Sequence, residues 1–158
     1  MATQSIEVAS RAAIELLGRI VATPSPTRDE AKVSALLERE MLALGLPVEK
    51  HGLNLVVRLK RGEGKRLMLC THMDTVPANP GYTRDPYAPT IEEGRMYGLG
   101  ANDAGAASVS MMYATKMLSE RSDWSGTLEL AIVVEEEVNG KNGAEALIRE
   151  LGLPDAGI

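Results

Sequence analysis

Two stretches near the start of the chain repeat apolar residues every three or four positions, which is the period of an amphipathic helix. In the first stretch the apolar residues are Ile6, Ala9, Ala13, Leu16, Leu17 and Ile20. In the second stretch they are Val33, Leu36, Leu37, Met41 and Leu44, just before Gly45. The segment Thr27-Arg28-Asp29-Glu30 has the Thr-x-x-Glu spacing of a capping box, so we expect the second helix to begin there.

Short apolar runs predict strands along the middle of the chain. We expect extended stretches at 48–51 and 53–59, and turn residues at 61–64 lead into a third stretch at 66–70. A further apolar run predicts a strand at 127–134. The run at 66–70 is apolar without alternation, which is typical of a strand covered on both faces in the parallel part of an α/β sheet.

The remaining segments complete an α/β pattern. A tight hairpin is predicted at 91–97, and helices are predicted at 102–118 and 142–151. Four prolines stiffen a long loop at 75–90, which we expect to be ordered and functional. The order of helices and strands indicates one α/β domain with a mixed, mostly parallel sheet that is flanked by helices on both faces.

Composition excludes several classes of protein. The chain has 158 residues, a formal net charge of −5 and one cysteine, so a disulfide scaffold is excluded and a nucleic-acid partner is not expected. The longest apolar run, 130–134, is far shorter than the roughly 20 residues that cross a bilayer. Glu7 and Arg11 interrupt any signal-peptide core. We therefore expect no membrane partner, a cytoplasmic location and a reduced, buried Cys70.

Residues of metal-ligand type follow two of the predicted strands. His72 and Asp74 follow the strand at 66–70, the acidic triplet 135–137 follows the last strand, and Asp103 begins the helix between them. Ligand sites in open α/β sheets lie beyond the carboxyl ends of the strands, so these side chains are expected to meet. Taken singly, they have structural interpretations as a polar turn, a solvated loop and a helix cap. Their joint occurrence favours a metal site.

The segment Gly98-Leu99-Gly100 raises the alternative of a dinucleotide site. The third glycine of that motif would fall at Asp103. A carboxylate that faces a pyrophosphate is electrostatically unfavourable, and no buried strand leads into the glycines. We therefore expect no nucleotide cofactor.

Three segments of the chain together resemble one enzyme family. They are Leu-Cys-Thr-His-Met-Asp-Thr-Val-Pro at 69–77, Tyr-Gly-Leu-Gly-Ala-Asn-Asp at 97–103 and Glu-Glu-Glu-Val-Asn-Gly at 135–140. Their order and spacing are similar to those of the co-catalytic metallo-deacylases and metallopeptidases. That family includes acetylornithine deacetylase, succinyl-diaminopimelate desuccinylase, aminoacylase and glutamate carboxypeptidase. The resemblance extends over most of the chain.

The resemblance implies a role for each metal-binding candidate. His72 would be a terminal ligand of one metal ion, Asp103 the carboxylate that bridges two divalent ions, and Glu137 a ligand of the other ion. Asp74 would hold the second ring nitrogen of His72, which fixes the tautomer of that ligand and raises its basicity. Histidine nitrogen and carboxylate oxygen suit Zn²⁺, and ligand type alone also admits Co²⁺ or Mn²⁺.

The same resemblance implies the chemistry of the site. Glu136 would be the general base, which takes a proton from the attacking water and delivers it to the departing amine. The cations would polarise the scissile carbonyl. The family also implies a cis peptide bond at Asp103-Ala104. Many members have lysine at the position of Gly105, and the Asn-Asp-Ala-Gly form at 102–105 is more similar to acetyl- or succinylornithine deacetylases.

Chains of this family are much longer than 158 residues. Beyond the point that matches Ile158 they supply another acidic ligand, an inserted dimerisation domain and a terminal histidine ligand. We therefore expect residues 1–158 to be the N-terminal portion of a catalytic domain. Each metal ion would keep two protein ligands, where a catalytic zinc normally has three. Weak metal binding and no turnover are predicted for these residues alone.

Three functions stay open. The first is a metal-dependent amide hydrolase that removes an acyl group from an N-acyl amino acid, similar to acetylornithine deacetylase and homodimeric at full length. The second is a dipeptidase or carboxypeptidase of the same family, which would take a small peptide instead. The third is a non-catalytic binding module that keeps the fold.

Overall fold

The helices form at or near the segments whose apolar periodicity predicts them. A computed structural model describes residues 6–158. Its α-helices are α1 (Ile6–Val21), α2 (Ala31–Ala43), α3 (Ala107–Ser119) and α4 (Ala144–Leu151). Glu7 in the first turn of α1 and Arg19 in its last turn complement the helix dipole. Over residues 6–158, no helix has both the length and the apolar character that crossing a membrane requires.

The strands form one five-stranded sheet and a separate hairpin. The sheet contains β1 (Val48–His51), β2 (Asn54–Arg61), β3 (Arg66–His72), β6 (Gly126–Val133) and β7 (Ala156–Gly157). Its spatial order is β1-β2-β6-β3-β7. The hairpin contains β4 (Thr90–Glu92) and β5 (Arg95–Tyr97), at the position the sequence predicts. Among the strands of residues 6–158, β7, which is two residues long, is not predicted from the sequence.

The sheet is mixed, and helices lie on both of its faces. β3 pairs in parallel with β6 and β7, whereas β2 is antiparallel to β1 and β6. Apolar side chains from α1, α2 and α3 pack on one face in a single cluster with residues such as Leu55 and Ile132. On the opposite face, Leu147 of α4 packs against Val56 and Ala131. The predicted α/β class is therefore confirmed.

The start of α2 differs from the predicted capping box. The helix begins at Ala31, and Glu30 at its N-cap position makes no capping hydrogen bond. Thr27 Oγ1 instead donates to Asp74 Oδ2 at 2.9 Å, and Glu30 Oε1 accepts the backbone N–H of Glu135 at 3.3 Å. The prediction was wrong because a four-residue pattern carries no information about partners that lie far along the chain.

Three smaller predictions also need correction. The helix predicted from Asn102 is α-helical only from Ala107, because the backbone angles of Asp103 and Ala104 are not helical and the chain is kinked there. Ile6, predicted on the apolar face of α1, is exposed at the first residue of that helix. Cys70 is only half-buried because it borders an open apolar groove beside α4, and burial raises the pKa of its thiol.

Candidate active site

The parallel strands β3 and β6 bring the candidate residues to one edge of the sheet. Their register pairs His72, the last residue of β3, with Val133, the last residue of β6. After β6 the chain enters a 3-10 turn that carries Glu136 and Glu137. Asp103 approaches the same edge from the kinked segment that precedes α3. The convergence expected at the carboxyl ends of the strands is therefore present.

The buried ring of His72 lies between two acidic residues. Its Nδ1 is 3.0 Å from the backbone carbonyl oxygen of Asp74 and 3.4 Å from Asp74 Oδ1, while its Nε2 is 3.0 Å from Asp103 Oδ1. A carbonyl oxygen only accepts, so Nδ1 carries a proton, and Nε2 is the ring nitrogen that contacts Asp103. Hydrogen bonding to Asp74 first, and then to Asp103, raises the pKa of His72 to about 9 against the cost of burial. The same negative surroundings favour a metal cation at Nε2.

Asp74 connects His72 to the segment that follows β6. Its carboxylate is fully buried and accepts hydrogen bonds from Thr27 Oγ1 at 2.9 Å, from the N–H of Glu136 at 3.1 Å and from the N–H of Glu137 at 3.2 Å. Burial opposes ionisation of Asp74. The hydrogen bonds from His72 and from these donors outweigh it and hold the pKa of Asp74 below its ordinary value. Asp74 therefore stays ionised at the centre of the site.

Close backbone packing shapes the turn that carries Asp103. Gly100 has a φ of +76°, and the N–H of Gly105 donates to Gly100 O at 2.9 Å. A Cβ atom at Gly105 would lie 2.7 Å from that oxygen, so any side chain there requires the backbone to move. The peptide bond between Asp103 and Ala104 is cis, as the resemblance implies. The side chain of Asp103 is 74% exposed.

His72, Asp103 and Glu137 have the chemistry and the spacing of a metal site. One ligand atom from each lies within 4.8 Å of the others. Desolvation and the nearby Asp103 carboxylate raise the pKa of Glu137, so a cation there would relieve repulsion between two acids. Ligand distances of about 2.0–2.2 Å to zinc are compatible with this spacing of the donor atoms. The residues present therefore fit a divalent cation.

The other two acids of the triplet face different partners. Glu136 Oε2 lies 3.9 Å from His72 Nε2, so this carboxylate borders the cluster. Glu135 points away, and its Oε1 accepts a hydrogen bond from Asn142 at 2.9 Å. The contacts that Thr27 and Glu30 make with this region are not predicted from the sequence. The signal available was a polar segment directly before α2, which was interpreted as a helix cap.

Known proteins resemble this chain in sequence and in fold. A succinyl-diaminopimelate desuccinylase from Sulfurovum sp. (strain NBC37-1) is 31% identical over 149 residues, which are 90% of this chain and 40% of that protein. Aminopeptidase PepT from Bacillus cereus superposes with a TM-score of 0.73 at 29% identity, over 93% of this chain and 42% of its own. An M20 family metallo-carboxypeptidase from Sulfolobus solfataricus shares the fold, with a TM-score of 0.79 at 23% identity, over 92% of this chain and 36% of its own.

The match to a family model covers the segments that form the site. The model for peptidase family M20/M25/M40 matches residues 68–157, which are more than half of the chain. That range contains His72, Asp74, Asp103, Glu136 and Glu137. The chain spans less than half the length of the desuccinylase from Sulfurovum. On the family match, this chain belongs to peptidase family M20/M25/M40.

Proposed function

We propose that the complete protein is a metal-dependent hydrolase that cleaves the amide bond of an N-acyl amino acid. The observation that carries this proposal is the cluster of His72, Asp103 and Glu137 beside the carboxylate of Glu136. Metal ligands next to a free carboxylate are the groups that metal-assisted hydrolysis requires. These residues come from three separate segments of the chain. Their proximity therefore results from the fold and not from being neighbours in the sequence.

Three side chains would hold the cations. We assign His72 as a terminal ligand of one ion, Glu137 as a ligand of a second ion and Asp103 as the carboxylate shared between them. A bound divalent cation supplies a Lewis acid for the scissile carbonyl. Nitrogen and oxygen ligands favour Zn²⁺, and Co²⁺ and Mn²⁺ are the alternatives to test.

Glu136 is the proposed general base. Its side chain is 58% exposed, so water and substrate reach the carboxylate. It would take a proton from the attacking water and release that proton to the amine as the C–N bond breaks. The hydrogen bond from its own backbone N–H to Asp74 holds Glu136 beside the metal ligands.

The relatives and the sequence guide the choice of substrate. The relative from Sulfurovum is named a succinyl-diaminopimelate desuccinylase, which supports an N-succinyl diamino acid as the first substrate to test. The Asn-Asp-Ala-Gly form at 102–105 supports N-acetylornithine as the second. Hydrolysis of small peptides is the second candidate function, because a protein named aminopeptidase PepT is 29% identical and shares the fold.

We further propose that residues 1–158 are the N-terminal portion of the catalytic domain. The match to the relative from Sulfurovum covers 40% of that protein, which supports this proposal. The remaining metal ligands and the inserted dimerisation domain would follow Ile158, so residues 1–158 alone are expected to bind metal weakly without turnover. A homodimer and a cytoplasmic location stay predictions.

The test is a hydrolysis screen of the protein made from the complete coding sequence. The protein is stripped with a chelator, reloaded with Zn²⁺, Co²⁺ or Mn²⁺, and given N-succinyl-diaminopimelate, N-acetylornithine and dipeptides. We expect metal-dependent release of free amine from one of the two acyl amino acids. Faster hydrolysis of dipeptides would assign the peptidase function instead. Bound metal without hydrolysis of any substrate would favour a non-catalytic module.

A further inference from the structure

Four consecutive backbone N–H groups after β6 each donate to a side-chain oxygen from another part of the fold. Val134 donates to Asn54 Oδ1 at 3.0 Å, and Glu135 donates to Glu30 Oε1 at 3.3 Å. The next two N–H groups are those of Glu136 and Glu137, and both donate to the Asp74 carboxylate. The segment 134–137 therefore takes its position from three side chains and not from strand pairing.

The three acceptors are buried. Asn54 and Glu30 are each 2% exposed, and Asp74 is 0% exposed. They come from the first residue of β2, from the N-cap position of α2 and from the segment after β3. Buried polar groups are costly unless they are hydrogen-bonded, so these contacts stabilise one backbone conformation of 134–137.

The buried carboxylate of Glu30 accepts hydrogen bonds from backbone N–H groups. Within residues 6–158, no lysine, arginine or histidine forms an ion pair with it. Its Oε1 accepts the N–H of Arg28 at 2.8 Å in addition to that of Glu135. Glu135 has a positive φ of +58°, a conformation uncommon outside glycine. The hydrogen bond that the N–H of Glu135 donates to Glu30 therefore helps to hold Glu135 in the conformation that turns the chain toward Glu136.

Asn54 bonds to the first residue of the segment. Its Nδ2 donates to His51 O at 3.0 Å and to Asn142 O at 2.7 Å, which leaves its Oδ1 directed at the N–H of Val134. The side chain of Asn142 in turn donates to Glu135 Oε1 at 2.9 Å. Asn54 thus connects the start of the segment to the residues just before α4.

We propose that Glu30 and Asn54 are positioning residues, which place the general base Glu136 and the metal ligand Glu137 through the backbone of 134–137. This inference rests on the proposed function, because it uses the roles assigned to those two glutamates. Neither residue touches the metal cluster. Their contribution is the acceptor oxygen, since a neutral amide oxygen supplies the same hydrogen bond as a carboxylate oxygen.

The test compares Glu30→Gln, which keeps an acceptor oxygen, with Glu30→Leu, which removes it, in the complete protein. We expect Glu30→Leu to weaken Zn²⁺ binding and to lower kcat, each by about 10- to 100-fold, with KM changed by less than about threefold. The amide proton of Glu135 should exchange at least about tenfold faster in the metal-free protein. Glu30→Gln should stay within about threefold of wild type in every measurement.

Two further variants keep this test decisive. Glu30→Asp shortens the side chain and should change Zn²⁺ affinity, kcat and Glu135 exchange in the same direction as Glu30→Leu. If Glu30→Leu does not fold, Glu30→Asp takes its place in the test. Glu129→Leu is the matched control, because Glu129 is a fully buried carboxylate in β6 that pairs with Arg58 and Arg66 away from the site. It should lower the free energy of unfolding without a change in Zn²⁺ affinity of the folded protein.

The proposal and the proposed function fail in different ways. Equal Zn²⁺ affinity and equal Glu135 exchange in Glu30→Leu and Glu129→Leu would overturn positioning by Glu30. If Glu30→Gln loses as much Zn²⁺ affinity and kcat as Glu30→Leu, the positioning role is also overturned. The hydrogen-bond acceptor would then not be the property of Glu30 that matters. If the wild-type protein hydrolyses none of the substrates, the proposed function fails, while metal affinity and amide exchange still decide the positioning role.

Discussion

Asp74 Oδ1 accepts the backbone N–H of Glu136 at 3.1 Å and lies 3.4 Å from Nδ1 of His72. One buried oxygen therefore connects the proposed base to a proposed metal ligand. A displacement of Asp74 moves both groups together. The Asp74 carboxylate thus joins the segment after β3 to the segment after β6.

Replacing Asp74 with asparagine should weaken Zn²⁺ binding by about 10- to 100-fold. The amide offers one acceptor oxygen where the carboxylate offers two, so its NH₂ group would face the backbone N–H of either Glu136 or Glu137. Competition with a chromogenic chelator measures the affinity. Thr27→Val, which removes a single hydrogen bond to Asp74, is the control. It should weaken Zn²⁺ binding by less than about tenfold. Unchanged affinity in Asp74→Asn would contradict this account of Asp74.

Replacing Glu136 with glutamine should lower kcat of the complete, metal-loaded protein by about 10²- to 10⁴-fold. The amide keeps the shape of the side chain and cannot accept the proton from water. Metal content should stay nearly the same, because Glu136 is not one of the three proposed ligands. Atomic absorption and an amine-release assay measure the two quantities. Retained activity would remove Glu136 from its role as the base.

Replacing Gly105 with alanine should destabilise the turn that carries Asp103. The added Cβ would lie 2.7 Å from Gly100 O and 2.7 Å from Leu17 Cδ1, and the carbonyl oxygen belongs to the backbone of the turn itself. Overpacking of this kind costs about 1–3 kcal/mol of the free energy of unfolding. We also expect weaker Zn²⁺ binding, because relief of the clash moves Asp103.

Gly18→Ala is the matched control for Gly105→Ala. Gly18 lies inside α1, and the nearest atom to an added Cβ is Met96 Cε at 3.8 Å, which is an ordinary contact. Alanine in a helix interior stabilises by about 0.5–1 kcal/mol relative to glycine. Urea unfolding should therefore shift in opposite directions for the two variants. A Gly105→Ala protein that is as stable as wild type, or more stable, would contradict close packing at Gly105.

The ion pair between Arg19 and Glu40 should make stability depend on acid pH. Both guanidinium NH₂ groups bond the carboxylate, at 2.7 and 2.8 Å, and join α1 to α2. The hydrogen bond from Arg19 lowers the pKa of Glu40 below its ordinary 4.5, against the smaller effect of desolvation. The contribution is therefore present above about pH 4.5 and is lost as pH falls through the lowered pKa.

Arg19→Gln should lower the free energy of unfolding at pH 7. The decrease should be only about 0.5–1 kcal/mol, because the ion pair is partly exposed to solvent. The difference from wild type should shrink as pH falls below 4.5. Denaturant unfolding across pH measures it. Arg11→Gln on the exposed face of α1 is the control. Its free energy of unfolding at pH 7 should differ less from that of wild type. A difference for Arg19→Gln that is constant from pH 7 to acid pH would contradict the assignment.

The strands β3 and β6, and the edge of the sheet at which they end, could be predicted from the sequence. The apolar run of each strand and the polar residues that follow it are adjacent in the chain. The apolar runs before His72 and Glu135 identify buried strands, and the rule for strand ends then places both clusters at one edge. The repeat of apolar residues every three or four positions likewise predicts α1 and α2. Each of these signals lies within a window of about 10–20 residues.

The contacts that complete the site could not be predicted from single segments. Thr27 and Glu30 fit a capping box as well as they fit their real partners, Asp74 and Glu135, which lie 47 and 105 positions away. β7 forms through pairing with β3 and has too few residues to show a period. These features depend on the assembled fold, so local propensity does not reveal them.

The pairing of His72 with Val133 also limits where the chain tolerates changes in length. Side chains alternate between the faces of a strand, so one residue inserted inside β3 or β6 would turn the following side chains to the wrong face. Insertions between the two strands, as in the loop at 75–90, leave that pairing intact. Relatives of different length should therefore differ in their loops and keep both strands free of insertions and deletions.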